Sequence, residues 1–109
     1  MILRRGEVWW VQLDPTLGSE IKKTRPCVIM TSNVANDRRR TVVVIPLSSS
    51  PSPNPPLLVP VECDGRRVVA VTDQIRAVSK ERIGERFSVL REEDLAAIED
   101  GLKEVLELA

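Results

Sequence analysis

The feature that most limits the possible folds of this chain is a succession of short apolar segments with strand character, separated by turn-forming residues. These segments cover residues 7–13, 26–32, 41–47, 57–62, 67–72, 75–78 and 86–90. Asp64 and Gly65 stand between two of them, where an Asp-Gly pair is a strong signal for a β-hairpin. The segment 41–47 is apolar almost throughout, which indicates burial on both faces and a central place in the sheet.

The last element is predicted to be a helix. Apolar residues recur at spacings of three and four in Leu95, Ile98, Leu102, Val105 and Leu106. Gly101 interrupts this pattern, and glycine weakens a helix by roughly 1 kcal/mol relative to alanine. A short helical turn or loop, capped by Ser32 or Asn33, is expected at 33–37, and a helical turn is expected at 79–82. At 109 residues, the chain is expected to form one domain, residues 1–109, with a mainly β (α+β) fold: a small β-barrel covered by a C-terminal α-helix.

The chain contains no histidine and only two cysteines, Cys27 and Cys63. Zinc sites of the usual kinds therefore cannot be built within one chain, and any enzyme of this sequence must work without an imidazole. The sequence shows no signal peptide and no apolar run long enough to cross a membrane. We therefore expect a cytoplasmic protein with free thiols and no bound metal.

Charge is balanced over the whole chain but distributed unevenly along it. Lys and Arg number 16, as do Asp and Glu. Residues 1–40 carry eight basic residues against four acidic ones, whereas residues 81–109 carry nine acidic residues against four basic ones. A polyanion is therefore expected to contact the N-terminal half.

The segment 14–26, between the first two strands, is too rich in functional groups to be a simple connection. It contains turn-forming proline and glycine, hydroxyl groups, carboxylates and three cationic side chains. Loops on a rigid β scaffold often carry function, and cationic side chains bind phosphate through charge-assisted hydrogen bonds. This composition indicates a loop for phosphate binding and acid–base chemistry.

Strand alternation places the two adjacent tryptophans on opposite faces of the first strand. Trp9 shares an all-apolar face with Val11 and Leu13, whereas Val8, Trp10 and Gln12 share the other face. Trp10 is therefore the tryptophan expected to be more exposed. The favoured interpretation packs Trp10 on the other side of the barrel or at a subunit contact, because tryptophan is usually substantially buried. The alternative is a stacking platform for a nucleic-acid base.

Four motifs together resemble the MazF/PemK family of toxin endoribonucleases. They are RGEVWWVQLDPTLGSE at 5–20, TRP at 24–26, PLS at 46–48 and DQIR at 73–76. The resemblance spans essentially the whole chain. It implies an SH3-like barrel of the MazF/CcdB toxin type, a homodimer, and metal-independent cleavage of single-stranded RNA at a short sequence. It also implies inhibition by a cognate MazE-like antitoxin, whose acidic tail would compete for the basic N-terminal loop.

The resemblance assigns catalysis to Arg25, Ser48 and Glu20. Arg25 matches the family's catalytic arginine, to which proton transfer is assigned; its permanent charge favours stabilisation of a phosphorane instead. Glu20 matches a functionally important glutamate that can accept a proton from the 2′-hydroxyl or orient Arg25. Ser48 stands where the family commonly has threonine and keeps the hydroxyl donor. The alternatives are a structural ion pair between Arg25 and Glu20, an exposed loop acid at Glu20, and an ordinary loop serine at Ser48.

Further positions are predicted to contact RNA. Lys22 and Lys23 would attract phosphate without reading sequence. Asp73 and Gln74 offer donors and acceptors to base edges at a strand end, and Arg76 would contact a phosphate or a base; the alternative is that Asp73 and Gln74 simply terminate a strand. The complete predicted RNA-binding set is Trp10, Thr16, Gly18, Ser19, Lys22, Lys23, Ser49, Asp73, Gln74 and Arg76.

The expected activity is sequence-specific endoribonucleolytic cleavage by attack of the 2′-hydroxyl, which yields 2′,3′-cyclic phosphate and 5′-hydroxyl ends. No cofactor is required, since RNA supplies its own nucleophile. Two alternatives stay open. One is a toxin of the same fold that acts on a protein target such as a topoisomerase. The other is a non-catalytic SH3-like module for Pro-rich ligands, which a chain with three aromatic residues suits less well.

Overall fold

The structure, a computed structural model, describes residues 1–14, 17–21 and 23–108. The strands in these ranges are β1 (Glu7–Gln12), β2 (Thr24–Ile29), β3 (Thr41–Ser48), β4 (Leu58–Cys63), β5 (Arg66–Val71), β6 (Arg76–Ser79) and β7 (Ile83–Val89). Helix α1 (Asn33–Arg38) follows β2, and helix α2 (Glu92–Val105) follows β7. Short 3-10 turns lie at Thr72–Gln74 and Lys80–Arg82.

The strands form an antiparallel sheet in the order β4-β5-β3-β2-β1-β7, with β6 paired to β3. Strand β3 pairs with β2, with β6 and, at its C-terminal end, with β5. Its central position confirms the prediction made from its apolar sequence. The sheet curls into a half-barrel, and the mainly β fold with a C-terminal helix is as expected.

Strand β1 contributes to two buried clusters. Val8 packs into the cluster that also contains Ile98 of α2. Val11 and Leu13 pack into a second cluster, against which Trp9 is partly buried. The shared face of Trp9, Val11 and Leu13 is therefore confirmed, but the opposite face is also covered at Val8. The curled sheet produces this two-sided burial, and the β1–β7 register shifts on both sides of Trp9.

Local turn and capping signals were mostly predicted correctly. Asp64 and Gly65 have φ angles of 52° and 76°, the pair of positive values that a tight hairpin of this kind requires. The Ser32 hydroxyl caps α1 by accepting a hydrogen bond from the Ala35 amide at 3.3 Å. The boundaries of β2 were predicted less well: it begins at Thr24, where it pairs with Gln12.

Gly101 has a role that the sequence pattern does not reveal. It is buried, and a Cβ atom at this position would lie 2.8 Å from Val59 Cγ2 and 3.0 Å from the Pro56 carbonyl oxygen. The absence of a side chain therefore allows α2 to approach β4 closely. The sequence indicated only the loss of helix propensity at Gly101; the structure adds a close contact between α2 and β4 at the same residue.

We expect Gly101→Ala to lower the free energy of unfolding. Alanine gains about 1 kcal/mol in helix propensity, but forcing a methyl group into a filled core typically costs about 1–3 kcal/mol. The expected net loss is up to about 2 kcal/mol, measured by urea denaturation. Ala96→Gly, at an exposed position of the same helix, is the control and should lose about 1 kcal/mol through propensity alone. An increased free energy of unfolding in Gly101→Ala would show that Val59 and Pro56 move aside for the methyl group at little cost.

Candidate active site

A groove of about 250 Å³ opens on the surface of the sheet and collects residues from six strands. The predicted site residues that line it are Trp10, Arg25, Ser48 and Ser49. Four lining residues were not singled out from the sequence: Cys63, Arg66, Val68 and Phe87. None of the lining residues is acidic, so the groove suits an anionic ligand.

The strand register brings Arg25 and Ser48 together. Antiparallel β2 and β3 pair Cys27 with Pro46, and Arg25 and Ser48 each lie two residues beyond that pair in the same direction along the sheet. Strand β1 adds Trp10, whose pairing partner on β2 is Pro26. Three adjacent strands thus bring together residues that are far apart in the sequence.

Two polar groups that line the groove, those of Arg25 and Ser48, are available for a ligand. Arg25 is exposed, and within the described ranges no carboxylate lies within 4.0 Å of its guanidinium. The ion pair with Glu20, considered from the sequence, is therefore not formed. The Ser48 hydroxyl oxygen accepts a hydrogen bond from the Ser50 amide at 3.4 Å, which leaves its proton free to be donated.

A second, smaller pocket of about 160 Å³ holds Glu20, Asp73, Gln74 and Arg76. These predicted residues are thus near one another, but they do not line the groove of Arg25. The Glu20 carboxylate accepts a hydrogen bond from the Leu17 amide at 2.9 Å. A catalytic role for Glu20 stays a prediction.

Gln74 and Arg76 contact the protein's own backbone in this pocket. Gln74 Oε1 accepts a hydrogen bond from the Ile21 amide at 2.7 Å, and Arg76 Nη1 donates one to the Leu13 carbonyl at 3.4 Å. Both side chains therefore anchor the segment between β1 and β2. Their predicted contacts with RNA stay predictions, as does that of Asp73, which is exposed.

The remaining predicted residues belong to the segment that joins β1 and β2. Gly18, Ser19 and Lys23 are exposed, and Gly18 and Lys23 have positive φ angles of 60° and 67°. Their predicted contacts with RNA stay predictions. Thr16 and Lys22 lie outside the described residues.

Both cysteines are free, as expected, and both are buried. Burial raises the pKa of the Cys27 thiol from 9.0 to about 12. Burial also raises the pKa of Cys63, against the smaller opposing effect of a hydrogen bond with Ser88. Because the thiolate is the reactive form of cysteine, burial makes both side chains weaker nucleophiles than an exposed cysteine, although Cys63 lines the groove.

The described ranges lack two features. They contain no group of three or more His, Cys, Asp or Glu side chains arranged to hold a metal ion. Neither of their α-helices has the length and apolar character needed to span a membrane.

The groove has the chemistry of a phosphodiester-binding site: a guanidinium beside a hydroxyl donor, with no acid in its lining. The family model for the PemK-like, MazF-like toxin of type II toxin-antitoxin system matches residues 4–106. The chain belongs to this family, which confirms the resemblance seen in its motifs.

Curated relatives and solved structures agree with this membership. The endoribonuclease MazF9 of Mycobacterium tuberculosis is 32% identical over 116 residues, covering 98% of each chain. Endoribonuclease EndoA of Bacillus subtilis is 27% identical, covering 94% of this chain and 93% of its own. The crystal structure of MazF from Deinococcus radiodurans has the same fold, with a TM-score of 0.86 at 20% identity and 98% coverage of each chain.

Proposed function

We propose that this chain is a sequence-specific endoribonuclease toxin that cleaves single-stranded RNA without a metal ion. The observation that carries the proposal is the placement of Arg25 and Ser48 on neighbouring strands in a groove without acidic lining residues. The curated relatives, which are named endoribonucleases, support the same activity. Arg25 and Ser48 are the proposed catalytic residues.

Cleavage proceeds by attack of a 2′-hydroxyl oxygen on the adjacent phosphorus atom. The bond from phosphorus to the 5′-oxygen breaks, and the departing oxygen takes up a proton from solvent water. The products carry a 2′,3′-cyclic phosphate and a 5′-hydroxyl. The phosphorane between them has two negative charges, which preorganised donors stabilise more strongly than they stabilise the substrate. The Arg25 guanidinium contacts two oxygens of the phosphorane, and the Ser48 hydroxyl donates to one.

Proton transfer places different demands on the two charged candidates. Arg25 stays protonated, so it stabilises charge and does not act as the base. Glu20 is the proposed acceptor of the 2′-hydroxyl proton. For that role its carboxylate must leave the Leu17 amide, to which it is hydrogen-bonded, and turn from its own pocket toward the groove. This movement accompanies RNA binding in the proposed mechanism.

Incubation of the purified protein with a long single-stranded RNA in EDTA tests the activity. We expect discrete cuts at one short motif, and fragments whose 5′ ends accept phosphate from a polynucleotide kinase without prior phosphatase treatment. The same sequence annealed to its complement is the control and should stay intact. RNA that stays intact as a single strand would favour a protein target. 5′-phosphate ends would show that the 2′-hydroxyl is not the nucleophile.

We also infer a cytoplasmic homodimer that is inhibited by a MazE-like antitoxin. A solved mycobacterial endoribonuclease with the same fold, at a TM-score of 0.81 and 20% identity, is in complex with its cognate antitoxin. The excess of basic residues in the N-terminal half suits an acidic antitoxin tail. Exposed apolar side chains at Val89, Leu106 and Leu108 supply surface for a subunit contact.

A further inference from the structure

We propose that Phe87 and Arg66, together with Trp10, form a nucleotide-binding subsite next to the scissile phosphate. A base stacks on the aromatic pair of Trp10 and Phe87, and Arg66 binds a phosphate that flanks the one held by Arg25. This inference rests on the proposed function, because it places RNA in the same groove. Neither Phe87 nor Arg66 belongs to a motif that the sequence reveals.

The aromatic pair is exposed where a base can reach it. The rings of Trp10 and Phe87 have centroids 5.1 Å apart and planes inclined by 54°, and the two residues are 37% and 36% exposed. Since the rings are in contact and tilted, a base does not insert between them. It stacks on the free face of one ring and touches the edge of the other, a geometry that aromatic groups favour.

Arg66 lies on the far side of β3 from Arg25, three residues along β5 from Val69, which pairs with Ser48 at the end of β3. It begins β5, where it pairs with Cys63 of β4, whereas Arg25 lies on β2; β3, which carries Ser48, separates the two strands. Within the described ranges no carboxylate lies within 4.0 Å of the Arg66 guanidinium. With one strand between them, the two guanidiniums suit neighbouring phosphates rather than a single one.

The size and lining of the groove fit one nucleotide. Its volume of about 250 Å³ is below the approximate range of 300–1,000 Å³ for pockets that enclose drug-sized ligands. Leu47 and Val68 make part of the lining apolar, which suits the face of a base. Because every base has a face that can stack, the subsite raises affinity for RNA without selecting a sequence.

The test uses a single strand that cannot be cleaved by 2′-hydroxyl attack: a 2′-fluoro RNA of mixed sequence with 2-aminopurine at successive positions. Bound to the parent protein, 2-aminopurine should be quenched at the position that stacks. Phe87→Leu and Trp10→Leu should each weaken binding about 5- to 150-fold and abolish the quenching. Arg66→Gln should keep the quenching and lower the slope of log affinity against log salt by about one.

Arg67→Gln is the matched control, since Arg67 is the next residue on β5, is also exposed and does not line the groove. It should leave the quenching and the salt slope unchanged. Equal binding by the parent, Phe87→Leu and Arg66→Gln would overturn the subsite, even if the parent cuts RNA. Phe87-dependent quenching by a protein that cuts no RNA would sustain the subsite and reject the proposed activity. A change of oligomeric state in Phe87→Leu, with binding unchanged, would identify the aromatic pair as a subunit contact and overturn the inference.

Discussion

Replacement of Arg25 with alanine is expected to lower the rate of RNA cleavage by about 10²- to 10³-fold, the usual effect of removing one preorganised donor from a developing oxyanion. The fold should be unaffected, because Arg25 is exposed and forms no ion pair with the described carboxylates. Single-turnover cleavage of a labelled RNA containing the mapped motif measures the loss, and thermal unfolding confirms that the fold is retained.

Arg25→Lys separates the charge of the side chain from its geometry. Lysine keeps the positive charge but loses the planar fork that contacts two phosphate oxygens. One lost charge-assisted hydrogen bond, worth about 1.5–3 kcal/mol, corresponds to a rate reduction of roughly 10- to 150-fold. A variant with the parental rate would show that Arg25 supplies only electrostatic attraction.

Arg38→Ala is the control for the removal of one exposed cation. Arg38 lies at the end of α1, before β3 begins, whereas Ser48 ends β3. The length of β3 separates the two ends by roughly 23 Å at about 3.3 Å per residue. This variant should therefore cut RNA at nearly the parental rate. If Arg25→Ala and Arg38→Ala retained the same activity, the assignment of catalysis to Arg25 would be wrong.

The elements of this fold could be predicted from the sequence because their signals are local. The Asp64-Gly65 turn, the Ser32 cap and the apolar period of α2 each depend on residues within one or two turns of the chain. The central place of β3 also followed from its own composition. The boundaries shifted where pairing with a neighbour decided them, as at Thr24, which extends β2 opposite Gln12.

Features that depend on the curvature of the sheet could not be predicted in this way. Val8 was placed on the same face as exposed Trp10, yet Val8 is fully buried because a second cluster covers its side of the sheet. Gly101 is the same kind of case: its contact with Val59 depends on how closely a helix and a distant strand pack. A helix-propensity scale takes no account of such a contact with another element.

The candidate site also combines residues that could be predicted from the sequence with residues that could not. Motifs found Arg25 and Ser48, which the strand register does bring into one groove. The resemblance also grouped Glu20 with Arg25. In the structure, the Glu20 carboxylate accepts a hydrogen bond from the Leu17 amide and lies in another pocket. Phe87 and Arg66 reach the groove from strands remote in sequence, so no spacing rule indicates them.

A single 2′-deoxy nucleotide immediately 5′ of the cut is expected to abolish cleavage completely. This change removes the only nucleophile in the proposed mechanism, whereas loss of a protein donor reduces the rate by a finite factor. The modified strand should still bind, because its phosphates and bases are unchanged. It should therefore inhibit cleavage of the all-ribose RNA competitively, with an inhibition constant close to the dissociation constant of the substrate.

A 2′-deoxy nucleotide on the 3′ side of the cut is the matched control, since it alters one sugar but leaves the attacking hydroxyl in place. That strand should be cut at a similar rate. Persistent cleavage of the first strand would require a nucleophile from water or from the protein. Ser48 would then be the candidate within the protein, because burial raises the pKa of the groove's thiol, Cys63. Loss of cleavage in the first strand alone would show that the substrate supplies the nucleophile, so that a chain without histidine needs only to position the RNA and stabilise charge.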